Sequence, residues 1–401
     1  MLFKKGLAFL NLTWYSFKIQ KNFLGNNNNI KNNKNIEIRN FIFQYMNKIH
    51  QWIGVLIMSI NKKPLFNEFG DREITKKKLI NGNTTNLNDF NNMKYTWVSD
   101  WYRQGMNNFW IPEEVNLSQD LKDYQNLLDE ERIAYDKILS FLIFLDSIQT
   151  ANLSNINNYI TASEVNLCLT IQSFQEAVHS QSYSYMLDSI CSPEKRNEIL
   201  YQWKDDEILL NRNKFIGDLY NEFIDNPTEE TLLKTLMANY ILEGIYFYSG
   251  FMFFYNLERN GKMPGSAQEI RYINRDENTH LWLFRNIIKE LQNENAELFT
   301  EKIKNELREM MKTGVEQEIL WGHYVIGDKI QGINKKLIEE YIKYLGNKRL
   351  KEINLEPLFE GHDVNPAPWV DRQSNANSVK TDFFEARSTA YAKAATLVDD
   401  L

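Results

Sequence analysis

The chain has 401 residues, of which 43% are hydrophobic and 25% charged, so it is long enough to bury a large core. Its net charge is −7 and it has no concentrated basic stripe in the body of the chain, which argues against nucleic-acid binding. The mean hydropathy is −0.49 and no run of about 18 apolar residues is free of charge and amide, so no membrane span is predicted.

The first 57 residues differ in composition from the rest of the chain. They hold eight Lys or Arg against a single acid, Glu37, and combine an asparagine-rich run with an apolar stretch. Three interpretations are open: a transit peptide, a membrane-touching or otherwise added segment, and a true start at Met58. A transit peptide is acid-poor, but it is also rich in arginine and serine, which are scarce here. We favour the start at Met58 and treat residues 1–57 as an N-terminal extension.

The remaining chain contains long stretches without the strongest helix breakers. No proline lies between Pro112 and Pro193. The segments DEERIAYDKILSFLIFLDSIQTANL and KTLMANYILEGIYFYSGFMFFYNL are apolar over wide faces and are longer than a strand. They predict buried helices and an all-α domain over residues 58–370.

Two Glu-x-x-His motifs lie about a hundred residues apart, at Glu176–His179 and Glu277–His280. Because residues i and i+3 share one face of a helix, each motif projects a carboxylate and an imidazole in one direction. Dinuclear carboxylate proteins built on four helices combine two such motifs with one further acid from each of two other helices. The two motifs therefore predict a dinuclear metal site in the core of a helical bundle.

Two further acids, Asp146 and Glu243, lie inside apolar helical runs. Each alone could be a hydrogen-bonded structural residue, but carboxylates are rarely buried unless they are paired or bind metal. Together with the two motifs they give one contribution per helix. An oxygen-rich set with one imidazole per metal favours iron or manganese over zinc. In chain order the six predicted ligands are Asp146, Glu176, His179, Glu243, Glu277 and His280.

Tyr183 follows His179 by four positions and Glu176 by seven, so the three side chains share a helical face. A buried phenol beside metal ions can be oxidised to a neutral radical. The alternative is a core tyrosine whose hydroxyl is hydrogen-bonded.

These motifs resemble the small, radical-generating subunit of class I ribonucleotide reductase, from about Lys63 to the C-terminus. The resemblance implies a ferritin-like bundle in which the six residues above bind two iron ions, or two manganese ions, and Tyr183 carries the radical. It also implies a homodimer whose partner is a separate large (α) subunit, where ribonucleotides are reduced to deoxyribonucleotides.

Phe247, Phe251 and Ile273 are similar to the family's oxygen-access pocket. Their spacing alone favours ordinary core packing. The resemblance favours a dry pocket that limits side reactions of a strong oxidant.

Trp110 and Asp276 resemble the family's path for radical transfer, in which the aspartate joins the tryptophan to a metal-bound histidine, here His179. Structural alternatives remain for both residues. Trp110 could anchor the loop before Pro112, and Asp276 could pair with Arg275.

The C-terminal residues 371–401 are polar and hold few apolar anchors, which by itself describes a frayed tail. In the family such a tail docks on the large subunit and carries a redox tyrosine, with a glutamate six positions before it. Tyr391 and Glu385 match that spacing.

Two other functions remain open: a different oxidase on the same bundle, such as a desaturase or hydroxylase, and a ferritin-like metal store. Tyr183, the Trp110 and Asp276 pair and the C-terminal tail argue against both. The two cysteines, Cys168 and Cys191, form no CxxC pair and favour a reducing, cytoplasmic setting.

Overall fold

The computed structural model describes residues 59–374, and within them it contains helices, turns and two isolated β-bridges but no β-strand. The predicted all-α fold is confirmed. Its helices are α1 (Trp97–Asn107), α2 (Ser118–Asn126), α3 (Asp129–Asn157), α4 (Ser163–Ile190), α5 (Pro193–Asp205), α6 (Glu207–Asp225), α7 (Glu229–Ile241), α8 (Tyr248–Arg259), α9 (Pro264–Glu294), α10 (Glu301–Val325), α11 (Lys335–Glu352) and α12 (Pro368–Ser374).

The core is formed by α3, α4, α9 and the continuous helical segment that runs from α7 into α8, called here the α7–α8 length. The five-residue connection from α3 to α4 brings these two long helices side by side, and α4 also packs on α9. Helices α10 and α11 cover the α7–α8 length from outside, and α5 covers α3. In the part of the chain that the structure describes, no helix has both the length and the apolar character needed to cross a membrane.

The start of α9 is fixed by a carboxylate from α2. Pro264 occupies the first helical turn, where its missing N–H costs no hydrogen bond. The next two backbone N–H groups, of Gly265 and Ser266, donate to Asp120 at 2.9 and 2.6 Å. This cap satisfies donors that a helix start leaves unpaired and sets the position of α9 in the bundle.

Between α7 and α8 the chain forms a π-helical turn, Leu242–Tyr246. The sequence predicted buried helical structure here, and the structure has it, with the π-helical turn between the two α-helices. Two buried arginines contact carbonyl groups of the turn. Arg212 donates to the Tyr246 carbonyl oxygen at 3.2 Å, and Arg349 Nε donates to the Gly244 carbonyl oxygen at 3.4 Å. These contacts support a local geometry that is often found at functional sites.

Candidate dinuclear metal centre

The structure brings the six predicted ligands together in the bundle core, and each is at most 1% exposed. Helix α3 supplies an aspartate, while α4 and α9 each supply a glutamate and a histidine. The remaining glutamate, Glu243, lies in the π-helical turn rather than in a regular helix. The sequence predicted ligands from each of four helices. Three of these helices are regular at the ligands, and the fourth has a π-helical turn there.

The six residues form two overlapping groups, and within each group the ligand atoms lie within 4.8 Å of one another. One group adds Asp146 and His179 to a shared pair of glutamates, and the other adds Glu243 and His280 to the same pair. The shared glutamates are Glu176 and Glu277. Glu176 and Glu277 could therefore serve both of two metal ions, each of which would have one imidazole of its own.

Both imidazoles turn the same ring nitrogen toward the acids. His179 Nδ1 lies 3.4 Å from Glu176 and 3.2 Å from Glu277. His280 Nδ1 lies 3.3 Å from each of the same two carboxylates. In each ring Nε2 points outward to another acceptor. A histidine ligand usually uses its second nitrogen in this way, which fixes the tautomer that leaves Nδ1 free for metal.

The donor set fits two divalent cations. Both carboxylate oxygens of Asp146 and of Glu176 are buried without a hydrogen-bond partner, as are one oxygen of Glu243 and one of Glu277. Buried polar atoms are normally paired, so these oxygens fit the ligands of a cation better than ordinary packing. Four carboxylates also balance the charge of two divalent ions, which removes the cost of burying them alone.

The pKa values of these groups record the crowding of the acids. Burial, followed by the charges of Glu176 and Glu277, raises the pKa of Asp146 well above its ordinary value. Burial opposes ionisation of Glu176 as well, but the imidazoles of His179 and His280 beside it outweigh burial and lower its pKa to about 2. Burial alone would lower the pKa of His179, whereas its carboxylate neighbours raise it well above the ordinary value. Without metal, the imidazoles therefore retain protons that bound cations would displace.

Tyr183 lies on the same helix as Glu176 and His179 and is fully buried. Its hydroxyl makes no hydrogen bond to another group. Burial, and after it the charge of Asp146, raises the pKa of the phenol well above its ordinary value. The phenol is therefore protonated, shielded from water and close enough to the ligand acids to be affected by their charge.

Trp110, Asp276 and His179 are joined in one contact chain. The Trp110 indole N–H donates to Asp276 Oδ2 at 2.8 Å, and His179 Nε2 lies 3.3 Å from the same oxygen. Arg275 approaches the other oxygen, Oδ1, at 3.4 Å, so the pairing considered from the sequence coexists with this chain. Trp110 is 4% exposed and lies just before the turn that begins at Pro112.

Three glutamines beside the ligands were missed in the sequence. Gln175 Oε1 lies 3.0 Å from His280 Nε2, where it takes the place that Asp276 has for His179. Gln149 and Gln172 each donate to Glu243 Oε1, at 2.9 and 2.7 Å. Helical spacing could have indicated two of them. Gln149 follows Asp146 by three positions and Gln172 precedes Glu176 by four, so each shares a helical face with a ligand.

The residues proposed for the oxygen pocket are all buried. Phe247 directly follows the π-helical turn, and its ring centroid lies 5.8 Å from that of Phe251. Ile273 lies one helical turn before Glu277 on α9 and is fully buried. Glu385 and Tyr391 of the tail lie outside the described residues.

The chain is similar in sequence to known enzyme subunits of a single family. Residues 87–366 match the family model "Ribonucleotide reductase, small chain". A ribonucleoside-diphosphate reductase subunit beta of Treponema pallidum is 68% identical over 344 residues, which are 85% of this chain and 98% of the relative.

Solved structures agree with this match. A ribonucleotide reductase R2 subunit from Clostridium botulinum is 55% identical, with a TM-score of 0.77 over 79% of this chain and 99% of that one. A dimanganese(II) NrdF protein of Streptococcus sanguinis is 23% identical, with a TM-score of 0.63 over 72% of this chain and 98% of that one, and shares the fold. The chain belongs to the small-chain family of ribonucleotide reductases.

Proposed function

We propose that this chain, as the small subunit of a ribonucleoside-diphosphate reductase, stores an oxidising equivalent as a radical on Tyr183. Membership of the family makes it part of an oxidoreductase that converts ribonucleotides to deoxyribonucleotides. The observation that carries the radical proposal is the position of a buried, protonated phenol among the acids of a site suited to two metals.

When bound, two iron or manganese ions supply the oxidising power, which they draw from oxygen or a reduced oxygen species. Oxidation of Tyr183 removes one electron and the phenolic proton. Asp146 is the acceptor that we propose for this proton, because its carboxylate is the charged group that affects the phenol most strongly. We propose that the buried side chains of Phe247, Phe251 and Ile273 form the oxygen-access pocket and limit side reactions of the oxidant.

The test is an electron paramagnetic resonance spectrum of metal-free protein that has been reconstituted with ferrous iron and oxygen. We expect a tyrosyl signal in the wild type and none in Tyr183→Phe, with two metal ions bound in both. Tyr135→Phe is the matched control, since it removes a buried hydroxyl that is bonded to Ser266 rather than placed at the site. A signal that persists in Tyr183→Phe would place the radical elsewhere.

The oxidising equivalent must also leave the core. We propose that it travels from the centre through His179, Asp276 and Trp110 toward the large subunit. The hydrogen bond from Trp110 to Asp276 supports this path, because it couples the indole to the ligand His179 through one carboxylate. We further propose that residues 371–401 dock on the large subunit, and that Tyr391, assisted by Glu385, continues the path there.

The identity of the metal is a separate part of the proposal. We propose iron as the first choice, with manganese as the alternative, since oxygen-rich sites with one imidazole per ion suit both. Metal analysis of protein purified from its own cells, followed by reconstitution with each ion, distinguishes them. Formation of the radical with manganese only in the presence of a reduced oxygen species would favour a dimanganese enzyme.

We propose a homodimer. Phe109 and Phe174 stack with parallel rings at 6.3 Å, yet remain 64% and 50% exposed. Two exposed aromatic side chains in contact form the kind of apolar surface that an interface covers. Light scattering of the purified protein measures the mass directly, and a monomer mass would contradict the proposal.

The remaining proposals concern the ends of the chain and its location. We propose that translation starts at Met58, so that residues 1–57 are absent from the mature protein, and that the protein is cytoplasmic. Cys168 and Cys191 are both free thiols, in keeping with a reducing compartment. Mass spectrometry of the N-terminal peptide tests the start. A desaturase, a hydroxylase or a metal store is not favoured, because the similar proteins are reductase subunits.

A further inference from the structure

Glu243 differs from the other acids of the centre because neutral side-chain amides occupy one of its oxygens while the other is free. Its Oε1 accepts hydrogen bonds from the amides of both Gln149 and Gln172. Its Oε2 is buried and has no partner. Neither oxygen of Asp146 or of Glu176 has a hydrogen-bond partner, so two neutral donors converge on Glu243 in a way that those two acids do not share.

A second layer fixes the orientation of Gln149. The Tyr220 hydroxyl donates to Gln149 Oε1 at 2.7 Å. The amide nitrogen of Gln149 also donates to Asn239 Oδ1. Since the amide oxygen is engaged by a donor and the amide nitrogen by two acceptors, the amide can present only its N–H groups to Glu243. Tyr220 is 4% exposed, so this contact lies inside the protein rather than at its surface.

We infer that Gln149 and Gln172 are positioning residues that hold Glu243 by Oε1 and keep Oε2 free for a metal ion, and that Tyr220 locks Gln149 in the required orientation. The inference rests on the proposed dinuclear centre. Three residues that are not metal ligands would thus control the orientation of one carboxylate of that centre.

The chemistry of the three residues suits this role. A glutamate side chain has three rotatable bonds, so its carboxylate can adopt several orientations unless neighbours restrict it. Two donors on Oε1 would restrict rotation of the carboxylate and leave Oε2 available to a metal ion. Amides are neutral at every pH at which the protein is folded, and unlike Lys or Arg they do not repel a bound cation.

The π-helical turn makes such support necessary. Glu243 is the second residue of this turn, where the regular i to i+4 pattern does not define the side-chain direction. The other five ligands lie on regular helices whose neighbouring turns already fix their direction. The two amides come from α3 and α4 and therefore position Glu243 relative to the helices that carry Asp146, Glu176 and His179.

The test is a titration of metal-free protein with manganese(II), followed by calorimetry and electron paramagnetic resonance, so that the two binding steps are measured without turnover. In the Gln149→Leu/Gln172→Leu double variant we expect one step to weaken by about 10- to 100-fold while the other keeps its affinity. Tyr220→Phe should weaken the same step by a smaller factor. Tyr135→Phe, which also removes one buried tyrosine hydroxyl, should leave both steps unchanged.

Each outcome decides one question. Unchanged affinities for both steps in a folded double variant would overturn the inference, and so would equal weakening of both steps. If the double variant does not fold, Tyr220→Phe decides: a change confined to one step supports the inference, and no change overturns it. A wild type that binds fewer than two ions would instead contradict the proposed dinuclear centre.

Discussion

Trp110 and Asp276 share a hydrogen bond of 2.8 Å that links an indole at the edge of the core to the carboxylate beside His179. A single oxygen, Asp276 Oδ2, faces both the indole N–H and the imidazole Nε2. A change in the charge of one ring therefore acts on the other ring through this single oxygen atom. This contact chain links a predicted ligand to an aromatic residue outside the centre.

Replacement of Trp110 by phenylalanine removes the N–H donor and keeps an aromatic ring. We expect the Tyr183 radical to form normally, because the ligands are untouched, while reductase activity with the large subunit falls at least about tenfold. The measurement pairs radical content by electron paramagnetic resonance with turnover. Trp97→Phe is the control, since its indole donates to Glu290 instead of to Asp276. Full activity in Trp110→Phe would remove Trp110 from the path.

Replacement of Tyr391 by phenylalanine tests the tail. If this tyrosine carries the oxidising equivalent to the large subunit, the variant should lose turnover while it keeps metal binding, the Tyr183 radical and its affinity for the large subunit. Tyr201→Phe, a change at a tyrosine that is 58% exposed on α5, provides the control. Normal turnover in Tyr391→Phe would show that the tail only docks.

Glu269 predicts a pH dependence of stability. It is a fully buried acid on α9 that accepts a hydrogen bond from Ser182, and burial raises its pKa to about 8. Because the folded protein holds a proton that the unfolded chain releases near pH 4.5, this group favours folding at low pH, and its contribution is lost as pH rises toward 8.

Substitution of Glu269 by glutamine removes this titration. In denaturant unfolding of metal-free protein, the wild type should lose more stability than Glu269→Gln between pH 5 and pH 8, at about 1.4 kcal/mol per unit of pKa shift. Ser182→Ala removes the hydrogen-bond donor that lowers this pKa, and should increase the loss. Parallel curves for wild type and Glu269→Gln would show that Glu269 is ionised throughout.

Arg212 and Glu318 form a buried ion pair behind the π-helical turn. Glu318 also accepts from the backbone N–H of Ser249, while Arg212 lies over the rings of Phe141 and Tyr246. Glu318→Gln should lower the free energy of unfolding by about 3 kcal/mol, because it leaves a buried guanidinium without its counter-charge.

Urea unfolding measures this loss. Glu73→Gln is the comparison, because Glu73 pairs with Lys76 at the surface and its loss should have no measurable effect. If Glu318→Gln is as stable as the wild type, the aromatic rings alone compensate the arginine charge.

The ligand set could be predicted from sequence because a charged side chain in an apolar helical run has few physical explanations. Asp146 and Glu243 were identified for that reason, and the helical spacing of the two Glu-x-x-His motifs placed the others. The fold class followed from long apolar segments without proline, and the structure agrees over residues 59–374.

Other features could not be predicted by the same argument. Gln149, Gln172 and Gln175 are uncharged, and glutamine is common on helices, so their burial gave no comparable signal. Glu269 lies in a helix of mixed polarity, where an acid normally faces solvent. The π-helical turn has no sequence period of its own, since LEGIY fits an α-helix equally well.

That turn has a consequence for how α7 and α8 relate to each other. A five-residue repeat acts as one residue inserted into a 3.6-residue spiral, so the two helices run nearly along one axis but are out of phase by about 100°. A helical wheel drawn through residues 229–259 therefore misassigns the faces on one side of Glu243. Deleting a single residue within 242–246 would bring the two helices into phase, and either Glu243 or the Phe247 and Phe251 pair would then rotate out of the core.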